Sequence, residues 1–207
     1  MANLNYYPLT ANIGYQAVVC VDGFITEDDL NRINTQLKVT PTTAAIVGGV
    51  FPEDDGEFEK RRIEAHKVRK SNVSFLSGDE WNWLFDKLVQ AVNHVNVTNY
   101  HKTLYGIEPL QYAEYDSKYN GFYGPHFDSE NNIKNGLRRS LSFSLQLSNE
   151  DEYEGGELKI LYDNKVYVSN KKLGSITFFD SNMLHEVTPV TSGFRKSLVG
   201  WVSGPRV

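Results

Sequence analysis

His126 and Asp128 sit two positions apart, and His185 is followed ten residues later by Arg195. Two imidazoles and one carboxylate can occupy one triangular face of an octahedral Fe(II) ion and leave the opposite face open, the donor set of non-haem iron oxygenases. The His-x-Asp spacing suits a β-strand, where positions i and i+2 point to the same side. On a strand, His126 and Asp128 grip one ion while Phe127 turns into the packing behind them. Arg195 adds a second function, because a guanidinium fork matches a carboxylate bidentately. An iron site beside a carboxylate clamp points to a metal-bound keto acid as cosubstrate. A lone His-x-Asp is ordinarily a surface pair, so the reading rests on the four residues together.

The elements that must position them lie in the second half of the chain. After Gly106 the sequence runs as short alternating stretches separated by turns, the signature of a β-sandwich or barrel. Residues 110–115 form one expected strand, and residues 123–128 carry the first two ligands. Residues 141–148 alternate without a break, so one face is apolar and the other polar. Further strands are expected at 158–162, 165–168, 174–179 and 194–202. Arranged in two facing sheets they make a double-stranded β-helix, a cupin-like jelly roll, whose mouth gathers His126, Asp128 and His185. The acidic turn at 151–156 is not a calcium loop, because Tyr162 stands where the bidentate glutamate would be required.

The first half supports this core. A strand at about 15–21 leads to a helix opening at Thr26, which can cap the first amides, while Glu27, Asp28 and Asp29 suit the positive end of the dipole. Leu30, Ile33 and Leu37 form its apolar stripe. Residues 40–59 turn to Gly, Pro and acid and read as a mobile loop. Ser77 to Glu80 spells a capping box, and the helix it opens carries Trp81, Leu84, Phe85, Leu88, Val89 and Val92 on one face. His94 and His101 have no carboxylate in register and read as surface histidines. The expected organisation is one mainly β domain with flanking helices (α+β) over 1–207. Residues 1–105 supply the N-terminal strand and helical support, and residues 106–207 the catalytic jelly roll.

Bulk properties agree. At 207 residues the chain can bury a substantial core, and 40% apolar with 23% charged residues is ordinary for a globular protein. A net charge of −5 argues against nucleic acid as the main partner. The basic clusters at 60–62 and 67–70 read as solvated faces. Cys20 is the only cysteine, which excludes an internal disulfide, and its apolar neighbours suggest a buried small hydrophobe. No leader or long apolar segment is visible, so a cytoplasmic protein with no membrane partner is expected, and the sequons at Asn72 and Asn96 should stay unmodified.

His126-Phe127-Asp128, the stretch from Phe178 to Val190 around His185, and Arg195-Lys196-Ser197-Leu198-Val199-Gly200-Trp201 carry a specific resemblance. With Tyr115 and the Gly155-Gly156-Glu157-Leu158 turn they resemble the prolyl 4-hydroxylase-like branch of the Fe(II)/2-oxoglutarate dioxygenases, especially its small microbial and viral hydroxylases. The resemblance is close beyond residue 106 and loose before it. It implies Fe(II) on His126, Asp128 and His185, with 2-oxoglutarate and O2 as cosubstrates and ascorbate as a reductant. It implies that Arg195 anchors the distal carboxylate of 2-oxoglutarate, with Tyr115 hydrogen-bonding beside it and Gln146 and Ser197 as assistants. The reaction so implied releases succinate and CO2 and hydroxylates a carbon.

The same family surrounds its target proline with a tyrosine three residues before the first histidine, an arginine opening the next strand and a tryptophan six residues past the basic anchor. Tyr123, Arg139 and Trp201 stand at those places, with Arg138 as an adjacent competitor. The trio implies a peptide or protein substrate containing proline. Two other functions use the same ligands: hydroxylation of another side chain or small metabolite, and a non-catalytic cupin-like metal-binding module. A zinc hydrolase also fits two histidines and a carboxylate but leaves Arg195 without a purpose.

Overall fold

The computed structural model describes residues 15–45, 68–129 and 136–205. The chain begins with β1 (Val18–Val21) and α1 (Glu27–Leu37), continues through β2 (Thr43–Ala44), β3 (Arg69–Lys70) and β4 (Asn72–Leu76), and reaches α2 (Asn82–Val95). Ten further strands follow: β5 (Gly106–Ile107), β6 (Leu110–Asp116), β7 (Phe122–His126), β8 (Leu137–Gln146), β9 (Tyr153–Gly155), β10 (Leu158–Tyr162), β11 (Lys165–Val168), β12 (Ile176–Asp180), β13 (Leu184–Val187) and β14 (Val190–Pro205). They form two antiparallel sheets facing each other as a jelly roll. The larger is ordered β1-β12-β8-β14-β6-β4-β2, with β5 and β9 also paired to β14; the smaller is ordered β11-β10-β13-β7-β3.

The larger sheet has two different faces. Leu141, Phe143 and Leu145 of β8, Leu198 and Val202 of β14, Leu110 and Tyr112 of β6, and Ile176 and Phe178 of β12 pack together with Ile33 of α1 and with Leu84, Leu88 and Val92 of α2. The intervening residues point toward the smaller sheet, where Ala113, Tyr115 and Phe179 join Leu158, Ile160 and Val187 in a second cluster. Helices therefore cover one side, and the second sheet covers the other. Thr26 caps α1 as its sequence implies: Asp29 N donates to Thr26 Oγ1 at 3.1 Å, and Thr26 N donates to the Asp29 carboxylate at 2.9 Å.

Several expectations change. Ser77 does not cap a helix. Gly78 takes the cap position at φ +110°, a 3-10 turn spans Asp79–Trp81, and α2 begins only at Asn82. Cys20 is exposed rather than buried, because β1 is the edge strand of its sheet. Within the expected 40–59 loop, Thr43–Ala44 pairs with β4, while residues 46–67, including the basic 60–62 cluster, lie outside the described residues. In the 67–70 cluster Arg69 is buried, not solvated, since β3 joins the smaller sheet beside β7. The sheets thus draw β3 and β4 from the part of the chain expected only to support them. His185 lies on a strand of its own, β13, which the sequence pattern did not reveal. Among the described residues no helix is long and apolar enough to cross a membrane.

Gly200 of β14 sits opposite Phe143 of β8, and a Cβ there would fall 2.1 Å from the Phe143 Cζ. Overfilling a packed core of this kind costs about 1–3 kcal/mol. Gly200→Ala should therefore lower Tm by about 2–12 °C in a thermal unfolding scan, given about 2–4 °C per kcal/mol at this size.

Candidate active site

β7 ends at His126, so Asp128 lies two residues beyond the strand rather than on it as the His-x-Asp spacing suggested, and β13 pairs with β7 so that His185 lies directly across from His126. Their rings are 4.1 Å apart between centroids. Asp128 closes the group, with Oδ1 3.5 Å from His126 Nε2 and Oδ2 3.4 Å from His185 Nε2. One ligand atom from each of the three lies within 4.8 Å of the others, a group able to hold a metal ion.

The tautomers follow from the neighbours. His126 Nδ1 lies 2.9 Å from the Gly124 carbonyl, and His185 Nδ1 2.9 Å from the Met183 carbonyl. A carbonyl only accepts, so each Nδ1 keeps its proton and each Nε2 turns a lone pair toward Asp128. Lone pairs and a carboxylate facing one another are satisfied only by a proton or a cation. That arrangement fits a divalent ion with nitrogen and oxygen ligands. Asp128 is itself held: the Ser142 hydroxyl donates to Oδ2 at 2.7 Å, Ser142 Oγ lies 2.8 Å from Ser181 Oγ, and Asp128 N donates to the Ser181 carbonyl at 3.1 Å. Such supporting hydrogen bonds fix a ligand's orientation.

Protonation reports the same geometry. Burial alone would push the Asp128 carboxyl up, but hydrogen bonds and charge from both imidazoles overcome it and hold it well below the ordinary value. Burial dominates at His126 and lowers its pKa, with His185 adding repulsion. At His185 burial acts in the same direction, but Asp128 outweighs it and the pKa rises. A metal would compete for the position this proton occupies.

The group opens into a narrow pocket whose lining includes Tyr115, Ser144, Leu158, Phe179, Val187, Ser197 and Val199. Arg195 lines it as well and is only 3% exposed. Its Nη1 donates to Ser197 Oγ at 3.2 Å, its Cζ lies 5.4 Å from the Tyr115 ring centroid, and its Nε has no partner among the described residues. No described carboxylate pairs with it. A buried guanidinium with an unused donor is a site for an anion. The Gly155-Gly156 turn explains its fit: a Cβ on Gly156 would come within 3.0 Å of the Arg195 Cδ and 3.1 Å of Tyr153 Cε2. Gln146 faces inward, is 4% exposed and donates to the Tyr153 hydroxyl at 2.7 Å.

Tyr123 and Trp201 line the same cavity, but Arg139 does not. The Arg139 guanidinium grips Glu108 with both Nε and Nη2 and lies 3.7 Å from the Trp201 ring centroid, while Ser203 also donates to Glu108. Arg139 thus reaches the cavity through Trp201. Tyr123 stacks on His126 with centroids 3.6 Å apart. Arg69, unnoticed in the sequence, lies over the Tyr123 ring at 4.4 Å and lines the cavity. Its basic neighbours disguised it. Gln111, Ser142 and Tyr153 were also missed: each is one polar residue in an alternating strand or acidic turn, with no local signature of its own.

Comparison with known proteins agrees with this geometry. Residues 110–203 match the 2OG-Fe(II) oxygenase superfamily. A PKHD-type hydroxylase of Hyphomonas neptunium is 36% identical over 141 residues, 67% of this chain and 62% of that protein. One of Idiomarina loihiensis is 40% identical over 39% of this chain and 36% of its own length, so the chain spans less than two thirds of either relative. Three solved structures share the fold. A Pseudomonas putida prolyl-4-hydroxylase has TM-score 0.64 at 20% identity, covering 94% of this chain and 96% of its own. A Trichoplax adhaerens prolyl hydroxylase in complex with a hypoxia inducible factor peptide fragment has TM-score 0.68 at 16% identity, covering 92% and 84%. The viral collagen prolyl hydroxylase of Paramecium Bursaria Chlorella virus-1, in its 2OG complex, has TM-score 0.64 at 18% identity, covering 93% and 99%. A PKHD-type hydroxylase of Crocosphaera subtropica is 37% identical over 192 residues, 89% of this chain and 78% of that protein, and with it the chain belongs to the PKHD-type hydroxylases of the 2OG-Fe(II) oxygenase superfamily.

Proposed function

We propose that this chain is an Fe(II)- and 2-oxoglutarate-dependent hydroxylase acting on a prolyl residue of a peptide or protein. The family's cofactors are Fe(II), 2-oxoglutarate and O2. Bound together they supply the oxidising chemistry: 2-oxoglutarate is decarboxylated to succinate and CO2 while an oxygen atom enters a substrate C–H bond. His126 Nε2, Asp128 and His185 Nε2 would hold the metal. Arg195 would take the distal carboxylate, with Ser197, Tyr115 and the Gln146–Tyr153 pair around it.

The observation that carries this reading is Arg195. It is a buried guanidinium with an unused Nε, opening into the cavity that also holds the two imidazoles and Asp128. A zinc hydrolase or a bare metal-binding module gives that buried charge nothing to do. The protein's own contribution is positioning and exclusion of water: the cavity walls fix the geometry of the reacting carbon, and Ser142 and the two backbone carbonyls keep the ligands aimed. For the prolyl assignment the support is Tyr123 and Trp201 at one cavity, with Arg139 clamped behind the indole. Arg139 would act as a positioning residue that sets the indole plane rather than as a direct contact. The Trichoplax adhaerens protein, solved with a peptide, makes a peptide substrate the natural first choice.

Removing either imidazole as His126→Ala or His185→Ala should abolish tight Fe(II) binding, read by anaerobic titration. Arg195→Ala should leave that titration intact and raise the 2-oxoglutarate concentration for half-saturation by about 10–100-fold, the worth of a buried charge-assisted hydrogen bond. Proline-containing peptides incubated with Fe(II), ascorbate and 2-oxoglutarate should gain one oxygen on proline by mass spectrometry. Oxygen on another residue instead would move the assignment to a different side chain. Arg139→Ala should cut peptide hydroxylation by about tenfold or more while succinate release without peptide persists, as loss of a positioned aromatic wall requires.

A further inference from the structure

Arg69 is 6% exposed, yet its partners are neutral: Nε donates to Ser71 Oγ at 2.7 Å and Nη2 to Gln111 Oε1 at 2.8 Å. No described carboxylate pairs with it. Its remaining nitrogen, Nη1, has no hydrogen bond among the described residues. The guanidinium lies over one face of Tyr123, whose other face is taken by His126, so the tyrosine can offer a substrate only its edge and hydroxyl. Cation–π contact offsets part of the cost of a buried charge but does not neutralise it.

Charge balance in the cavity sharpens the point. Among the described residues its lining contains two arginines, Arg69 and Arg195, and one carboxylate, Asp128. On the function proposed above, a divalent metal and dianionic 2-oxoglutarate cancel each other, and Asp128 offsets Arg195. One positive charge is left, on Arg69.

We propose that Arg69 is a second anion subsite, on the Tyr123 side of the metal group, that binds a carboxylate of the organic substrate. The substrate is therefore an acidic one: the hydroxylated residue carries its own free α-carboxylate, or an acidic side chain lies beside it. A guanidinium already oriented by Ser71 and Gln111 loses little freedom when the carboxylate arrives. The proposal rests on the function assigned above and adds the charge of the substrate to it.

The test uses protein loaded with Mn(II) and saturated with 2-oxoglutarate, so that no turnover occurs and Arg195 is occupied. N-acetyl-proline is compared with N-acetyl-prolinamide, and N-acetyl-prolyl-aspartic amide with its asparagine counterpart. Calorimetry gives Kd, and broadening of probe resonances by Mn(II) places the probe near the metal. At least one carboxylate probe should bind about tenfold or more tightly than its amide. The pair that shows the preference distinguishes a terminal from a side-chain carboxylate. The preference should vanish in Arg69→Gln and survive in part in Arg69→Lys, whereas a purely structural Arg69 would weaken both members of a pair alike. No binding by either carboxylate probe, no preference over the amides, or a preference that persists in Arg69→Gln overturns the proposal. Failure of the underlying function shows separately, as an inability of the Mn(II) protein to bind 2-oxoglutarate before any probe is added.

Discussion

The placement of His185 directly across from His126 is the constraint on which the rest of this molecule depends. Sheet pairing has a side-chain period of two, so a slip of one residue between β7 and β13 would turn one imidazole to the opposite face. The pairing breaks its regular register between His185 and Val187, where Tyr123 becomes the partner of Val187. The two rings are tilted at 52° to each other, and both Nε2 atoms face Asp128. Local and distant contacts add the remaining control: the Gly124 and Met183 carbonyls, each two residues before its histidine, fix the tautomers, and Ser142 of β8 reaches from the facing sheet to hold the carboxylate. The group stands at one sheet and is held in part by the other, so it is only as ordered as the packing between them.

That packing explains why a polar cavity survives inside a hydrophobic sandwich. In an antiparallel sheet with one wet face, alternation places apolar residues inward and polar residues outward. Here the larger sheet has no such wet face at its centre. Its apolar residues meet α1 and α2, and its polar ones, Ser142, Ser144, Gln146 and Ser197, turn to the interior between the sheets, all at most 9% exposed. The helices supply the core, which frees the other face for chemistry. Phe143, lodged against Gly200, belongs to that stabilising side, one residue away on each strand from Ser142, Ser144 and Trp201 on the working side.

How much of this was legible follows from the same two-faced sheet. The alternation in 141–148 located β8, and the 110–115 and 194–202 patterns located β6 and β14, because alternation is a local property. The grouping of His126, Asp128 and His185 was legible because residue type and spacing carry its chemistry. Alternation does not say which partner covers a face, so the polar face of 141–148 did not reveal that its serines are buried or that Ser142 holds Asp128. β13 escaped notice because four residues between turns are too short for a period to show. Arg69 illustrates the deeper limit. In sequence it is one of several bases in a row, a pattern that ordinarily means a solvated surface, and only the pairing of β3 with β7 brings it inside. Arg195 lies on β14 and lines the same cavity as His185, a placement that its alternating neighbours and its position ten residues after that histidine made legible.

The two arginines also show what the fold sacrifices for function. Among the described residues, two guanidiniums and two proton-seeking imidazoles share the cavity with a single carboxylate, an arrangement that burial makes unfavourable. Each is nonetheless fixed by neutral neighbours: Ser197 for Arg195, Ser71 and Gln111 for Arg69, and the two backbone carbonyls for the histidines. Neutral partners orient a charge without cancelling it, so the field stays directed at whatever enters. A carboxylate from the protein in place of Gln111 would quiet Arg69 and stabilise the empty fold, but it would also occupy the donors that an incoming anion needs. Local rules of polar satisfaction are relaxed here at the sites where ligands complete them. The consequence is a cavity whose dipoles and charges are set before binding, so little reorganisation remains to be done when the reacting groups arrive.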